Sequence, residues 1–234
     1  MDKGQMITGI AVLGLVVVSI VLAAAGDEGD DILTVSGEAV LIAAPDQADI
    51  YVKILSKEQS ATAAKNTNAE LSSRVMTALE AAGVQKGDIE TTDYYLSKKQ
   101  DWHPVEGYID AGYQLVHVLK IRTRDVEDTG SLVDTAVNNG ANGLDRVEFS
   151  LSEEKQKEVN SQALEQAAGE AAAKAETLAK KLDVRLQGIS SISESVSGGY
   201  PYPVYAEAAM EKAATQIAPA NVKVSVSVTV NYEI

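Results

Sequence analysis

Cysteine is absent from the 234 residues, histidine occurs twice, and tryptophan and phenylalanine occur once each. Without cysteine there is no disulfide staple and no thiolate nucleophile or metal ligand, so stability has to come from an ordinary buried core. Basic residues are also scarce. The 20 Lys and Arg stand against 34 Asp and Glu, a net charge of −14, and the lysines do not cluster. Phosphate binding needs a basic surface, so nucleic acid is excluded as a partner and an anionic lipid surface is disfavoured.

The two histidines offer little for metal or acid–base chemistry. His103 stands in Asp101-Trp102-His103-Pro104, which reads as a loop. His117 is in phase with Tyr113, Leu115, Leu119 and Ile121 on an expected strand, where a lone histidine reads as a core residue. No HExxH spacing is present, and no GxSxG elbow or SxxK pair singles out a serine. The acidic run Asp27–Asp31 lacks the ligand spacing of a calcium loop and reads as a solvated spacer. The residues therefore indicate no catalytic group, no cofactor and no metal site.

Charge is missing altogether from Met6 to Ala25, and Gly-Asp-Glu-Gly-Asp-Asp follows at once. Twenty helical residues reach roughly 30 Å, enough to cross the hydrocarbon core of a bilayer. Lys3 precedes the run and Asp27, Glu28, Asp30 and Asp31 follow it, a bias that places the N-terminus inside. Ala23 and Ala25 also offer the small-residue pattern of a signal cleavage site. Residues 1–26 are expected to be either a single transmembrane anchor or a cleaved signal peptide, with 27–31 as an acidic spacer. Both alternatives deliver residues 32–234 to the far side of the membrane.

In that body the clearest pattern is at the C-terminus. Val222, Val224, Val226, Val228, Val230, Tyr232 and Ile234 alternate with Lys223, Ser225, Ser227, Thr229, Asn231 and Glu233, which predicts a long strand with one wet face. Weaker alternation marks 32–43, 48–56, 89–98, 108–123, 146–152 and 184–196. Three helices are expected between them: about 60–82, ending at Gly83; from Asp125, as N-cap, to near Gly140; and about 154–182, with Val159, Ala163, Ala167, Ala171, Ala175, Leu178 and Leu182 on one face. An alanine face lets a helix lie close on a sheet. The predicted order is β-β-α-β-β-α-β-α-β-β, an α+β, two-layer fold with a mixed, mostly antiparallel sheet and helices packed on one face.

The one long irregular stretch runs from Ser197 to Asn221. Tyr200, Tyr202 and Tyr205 place three of the nine tyrosines within six positions, interleaved with Pro201 and Pro203. Tyrosine is favoured at interfaces because its ring buries apolar area while its hydroxyl stays wet. Tyr200, Pro201, Tyr202, Pro203 and Tyr205 are thus the candidate interaction loop, the alternative being that the rings fold back over the protein's own sheet.

Several short motifs carry a resemblance: Thr34-Val35-Ser36-Gly37-Glu38, Ala44-Pro45-Asp46 with Ala48, and Ala82-Gly83-Val84 with Asp88-Ile89 and Thr91. Arg124-Asp125, Gly140-Ala141-Asn142, Phe149-Ser150-Leu151 and Ala171-Ala172-Ala173-Lys174-Ala175-Glu176 follow in order. Together they resemble the SIMPL-domain family over nearly the whole of 32–234. The resemblance implies an extracytoplasmic protein of the periplasmic immunogenic or oxidative-stress-defence type, some members of which assemble into rings. A eukaryotic branch acts as an adaptor for a signalling kinase. It supplies no catalytic residues to carry over. Asp183 departs from the family, which often has glycine after the long helix, and this calls the helix ending into question. Read locally, Gly37 marks a bulge or a close backbone approach, and Ala44-Pro45-Asp46 and 140–143 are turns.

The expectation for function is a non-catalytic, exported protein, membrane-tethered through residues 6–25 or secreted. It would form homo-oligomers or bind a cell-envelope protein partner. The alternative is an extracytoplasmic hydrolytic or stress-protective enzyme with a site built from scattered residues.

Overall fold

The computed structural model describes residues 31–202, 215 and 217–234. The segment 6–25, expected to span a membrane, lies outside these residues. Among the described residues no helix is long and apolar enough to cross a bilayer. Seven strands and three α-helices of the described residues follow the expected order: β1 (Ile32–Ala43), β2 (Gln47–Glu58), α1 (Ala61–Ala81), β3 (Ile89–His103), β4 (Gly107–Thr123), α2 (Thr129–Asn138), β5 (Gly143–Ser150), α3 (Glu153–Leu182), β6 (Gly188–Tyr202) and β7 (Asn221–Glu233). The strands form two sheets, ordered β1-β7-β6 and β3-β4-β2-β5. The single sheet expected from the pattern is thus corrected to two. Alternation shows which strands have a wet face but not which strands pair, and β7 closes on β1 from the opposite end of the chain. The chain divides into two compact units, one built around each sheet.

In the first unit β1, β7 and β6 run antiparallel. Ile234 N donates to Asp31 O, and the side chains of Thr34 and Asn231, then Ser36 and Thr229, meet further along β1 and β7. Gln187 N donates to Glu233 O beside β6. The hydroxyl-bearing residues occupy one face. Leu33, Val35, Ala39, Val224, Val226, Val228 and Val230 alternate with them and are buried. The alanine stripe Ala163, Ala167, Ala171 and Ala175 of α3 is buried too. Gly37 explains how close helix and strand come: a Cβ there would stand 2.0 Å from Ala167 O and 2.6 Å from Ala171 N. The expected close backbone approach at Gly37 is therefore present.

In the second unit β2 is central, paired antiparallel with β4 and β5, and β3 pairs with β4. Ile50, Val52, Ile54, Leu119 and Ile121 meet Val75 and Leu79 of α1 and Leu132, Val133 and Ala136 of α2 in one apolar core. Tyr51, Val116 and Val118 are buried as a second cluster on the other face. Both faces of the central strands are thus covered, and Leu115–Leu119 reads as a continuous buried run rather than an alternation.

All three helices end the same way. Val84 N donates to Leu79 O, Ala141 N to Ala136 O, and Val184 N to Ala179 O, each across a residue of positive φ: Gly83 (100°), Gly140 (128°) and Asp183 (57°). This is the left-handed helix exit that favours glycine. Asp183 adopts it without glycine, so the ending questioned from sequence keeps its geometry. The start of α2 differs from expectation. Asp125 Oδ1 accepts from the amides of Glu127 and Asp128, closing a turn, and the helix begins only after Asp128.

Candidate functional site

Three places concentrate polar or exposed chemistry in the second unit. The first surrounds His117, buried on β4 as expected. Its Nδ1 lies 3.1 Å from Asn68 Oδ1 of α1 and its Nε2 2.9 Å from Thr91 Oγ1 of β3, while Tyr94 meets the ring edge-on at 5.0 Å. Asn68 Nδ2 in turn donates to Ile54 O at 3.1 Å. Desolvation pushes the imidazole below its usual value. A neutral ring, donating to Asn68 and accepting from Thr91, satisfies every partner. The cluster locks α1 to the root of the β3–β4 hairpin, and His117 is nearly sealed from solvent.

The second is the Ala44-Pro45-Asp46 turn. Asp46 Oδ1 accepts from Ser152 N and Oδ2 from Ser152 Oγ, both at 2.6 Å. Burial alone would raise this carboxyl, but the two bonds outweigh it and hold it below 3.8. Contrary to the expectation that no SxxK pair singles out a serine, Ser152-Glu153-Glu154-Lys155 has the serine–lysine spacing of some acyl-transfer enzymes. The serine is buried with its hydroxyl committed to Asp46, and Lys155 Nζ pairs with Glu158 at 2.9 Å. Here the serine ties a turn to the start of α3.

The third is the β3–β4 hairpin. Expected to end at residue 98, β3 continues to His103 and turns into β4 through 104–106, so Asp101-Trp102-His103 is strand and not loop. The pairing runs unbroken in sense from Ile89↔Ile121 to His103↔Gly107, and alternation fades near the tip because both faces there are wet. His103 Nδ1 accepts, at 3.4 Å, from the amides of Val105 and Glu106 and so organises the tip. Trp102 and Tyr108 sit directly opposite each other, 65% and 74% exposed. Tyr94, Tyr95 and Leu96 are 53%, 53% and 44% exposed along β3, which is an edge strand among the described residues. These are the exposed apolar residues the sequence reading missed. The signal was available in Tyr94-Tyr95-Leu96, three large apolar residues in succession on a strand that alternation had marked as one-sided.

The candidate interaction loop is described only in part. Residues 197–202 continue β6 rather than opening a loop, so the backbone of Tyr200, Pro201 and Tyr202 is strand. Pro203 and Tyr205 lie outside the described residues. Among the described residues no three His, Asp or Glu side chains are grouped as a metal ion would require.

A wet-faced sheet backed by one long helix, and a second sheet backed by two helices that extends into an exposed hairpin, define an α+β protein whose outward features are edges and aromatic rings. The chain belongs to the SIMPL family, described as a protein of unknown function (DUF541), which matches residues 33–232. Curated relatives include the 26 kDa periplasmic immunogenic protein of Brucella abortus (strain S19), 28% identical over 183 residues that cover 74% of this chain and 70% of the relative. The uncharacterized protein YggE of Edwardsiella ictaluri (strain 93-146) is 26% identical over 183 residues, covering 78% and 75%.

Proposed function

We propose that the protein works outside the cytoplasm, where it self-assembles or holds an envelope partner through exposed strand edges rather than through a catalytic centre. The compartment is supported by the uncharged run Met6–Ala25 with its acidic spacer, and by the relatives that are named as periplasmic. The observation that carries the binding role is the β3 edge, where Tyr94, Tyr95 and Leu96 stand exposed together. A long apolar strand edge is a template for another chain, and proteins that need to stay apart blunt such edges. Residues 6–25 serve as a tether or are removed as a signal, and the tyrosines at 200, 202 and 205 are a further contact. Two measurements test this reading. Protease added to intact cells should digest residues 32–234, and full protection until lysis would reject the compartment. Light scattering on the purified full chain should return a multiple of 24.7 kDa. A single-chain mass at every concentration, with no envelope protein cross-linked in cells, would reject the binding role.

A further inference from the structure

The two sheets treat their edges differently. In the first unit Lys174 Nζ donates to Ser36 O at 2.9 Å, Glu38 N donates to Glu170 Oε2 at 2.7 Å, and the two side chains pair at 2.8 Å. That ion pair occupies backbone groups of β1, an edge strand among the described residues, and so blunts it. The β3 edge has no such cover among the described residues. Its charges are instead sorted. Glu90 is committed to Lys120 and Lys98 to Asp110, both at 2.7 Å, while Asp93 and Lys99 make no ion pair within the described residues.

The spacing of these two free charges has a symmetry. The extra residue of the first register shift, Thr92, is on β3; that of the second is on β4, where Gly112 takes a φ of 85°. From Asp93 to His103, β3 therefore alternates without interruption. Tyr94, Leu96 and Lys98 lie on the face of His117 and Leu115, and Asp93, Tyr95, Ser97 and Lys99 on the face of Val116 and Val118. Leu96 is the midpoint of β3 and also the midpoint between Asp93 and Lys99.

We propose that β3 pairs antiparallel with β3 of a second copy about a two-fold axis through Leu96, joining two four-stranded sheets into one of eight strands. Such an interface uses the same patch twice. Leu96 faces Leu96, Tyr95 faces Ser97, Tyr94 faces Lys98, and Asp93 faces Lys99 twice, over the regular stretch 93–99 of each copy. Antiparallel neighbours share a face only when the pairing shifts by two residues at a time, which moves the axis by one. Moving the axis to Ser97 sets Asp93 against Asp101, and moving it to Tyr95 leaves Asp93 opposite Ser97. Of these registers, the one centred on Leu96 matches the free charges. Backbone hydrogen bonds supply the attraction and the charge pairs fix the register. The lysines that usually guard an edge here have a carboxylate to meet.

This proposal rests on the self-assembly reading, and its test separates the two. The chain has no cysteine, so Leu96→Cys introduces a single thiol. Directly opposed strand residues lie about 5 Å apart at Cα, within disulfide reach. Under mild oxidation full-length L96C should form a covalent dimer, whereas Ile192→Cys, on β6, should not. Asp93→Lys should raise the dissociation constant roughly tenfold or more by opposing like charges twice, and Asp93→Lys with Lys99→Asp should restore it. If L96C stays uncross-linked, or I192C cross-links in its place, while light scattering still reports multiples of the chain mass, the β3 interface is wrong and self-assembly stands. If every variant and the parent scatter as single chains, both fall.

Discussion

Gly37→Ala adds one methyl group to a strand and should be among the most damaging single changes in the first unit. The added Cβ would lie 2.0 Å from Ala167 O and 3.0 Å from Ala167 C, both backbone atoms of α3, so no side-chain rotation relieves the clash. The helix has to withdraw by more than 1 Å, since ordinary contact begins near 3.4 Å. Withdrawal opens gaps along Ala163, Ala167, Ala171 and Ala175, all fully buried and too short to follow. Overpacking of this kind costs about 3 kcal/mol when the neighbour is rigid. At this size that is a drop of roughly 6–12 °C in Tm. Gly169→Ala is the matched control on the same helix, because its Cβ meets nothing within 4 Å. It should stabilise by up to about 1 kcal/mol through helix propensity. Thermal and urea melts followed by circular dichroism read both. If G37A melts within about 2 °C of the parent protein, then β1 and α3 do not pack with the closeness described and the explanation of Gly37 fails.

Other changes have equally definite signs. Burial holds His117 below 6.5, so the unfolded chain takes up a proton that the folded state resists. Stability is therefore full above pH 6.5 and declines as the pH falls below it. His117→Gln should flatten the urea midpoint between pH 7 and about 5.5, and an unchanged slope would mean the ring is not the titrating group. Asp183→Gly should stabilise by roughly 1 kcal/mol, because φ of 57° is strained for a side chain and free for glycine; a loss in Tm would count against the α3 ending described. Replacing Tyr200, Tyr202 and Tyr205 with serine should lower assembly or partner capture more than Tm. Sharp loss of stability with native mass retained would instead make these rings a cover on the protein's own core.

Local pattern was legible where a residue's burial is set by its own strand or helix. The valine ladder of β7 and the alanine stripe of α3 gave those elements to within a residue, because one face of each is dry and the other wet. Pairing was not legible. Nothing in Ile32–Ala43 announces that β7 is its neighbour, and that choice makes two sheets instead of one. Pattern also failed where both faces are equivalent. At the tip of the hairpin everything is exposed, so strand residues 99–103 looked like loop. β6 begins at Gly188 rather than at 184, because Val184, apolar enough to begin a strand, spends its amide on the end of α3. As for the candidate site, His117 was readable as core from its phase, whereas the exposed edge of β3 depends on which strand stands last in the sheet.

The bond between Ile234 N and Asp31 O sets the first described residue beside the last. Tension applied between the two ends of the chain would load the β1–β7 ladder one rung at a time, as a zipper opens, rather than shearing all rungs together. The Glu170–Lys174 pair that grips β1 from its other side would be the next element to bear the load. A reporter fused after Ile234 would emerge beside Asp31, at the entry to β1, so it would sense the surroundings of that entry.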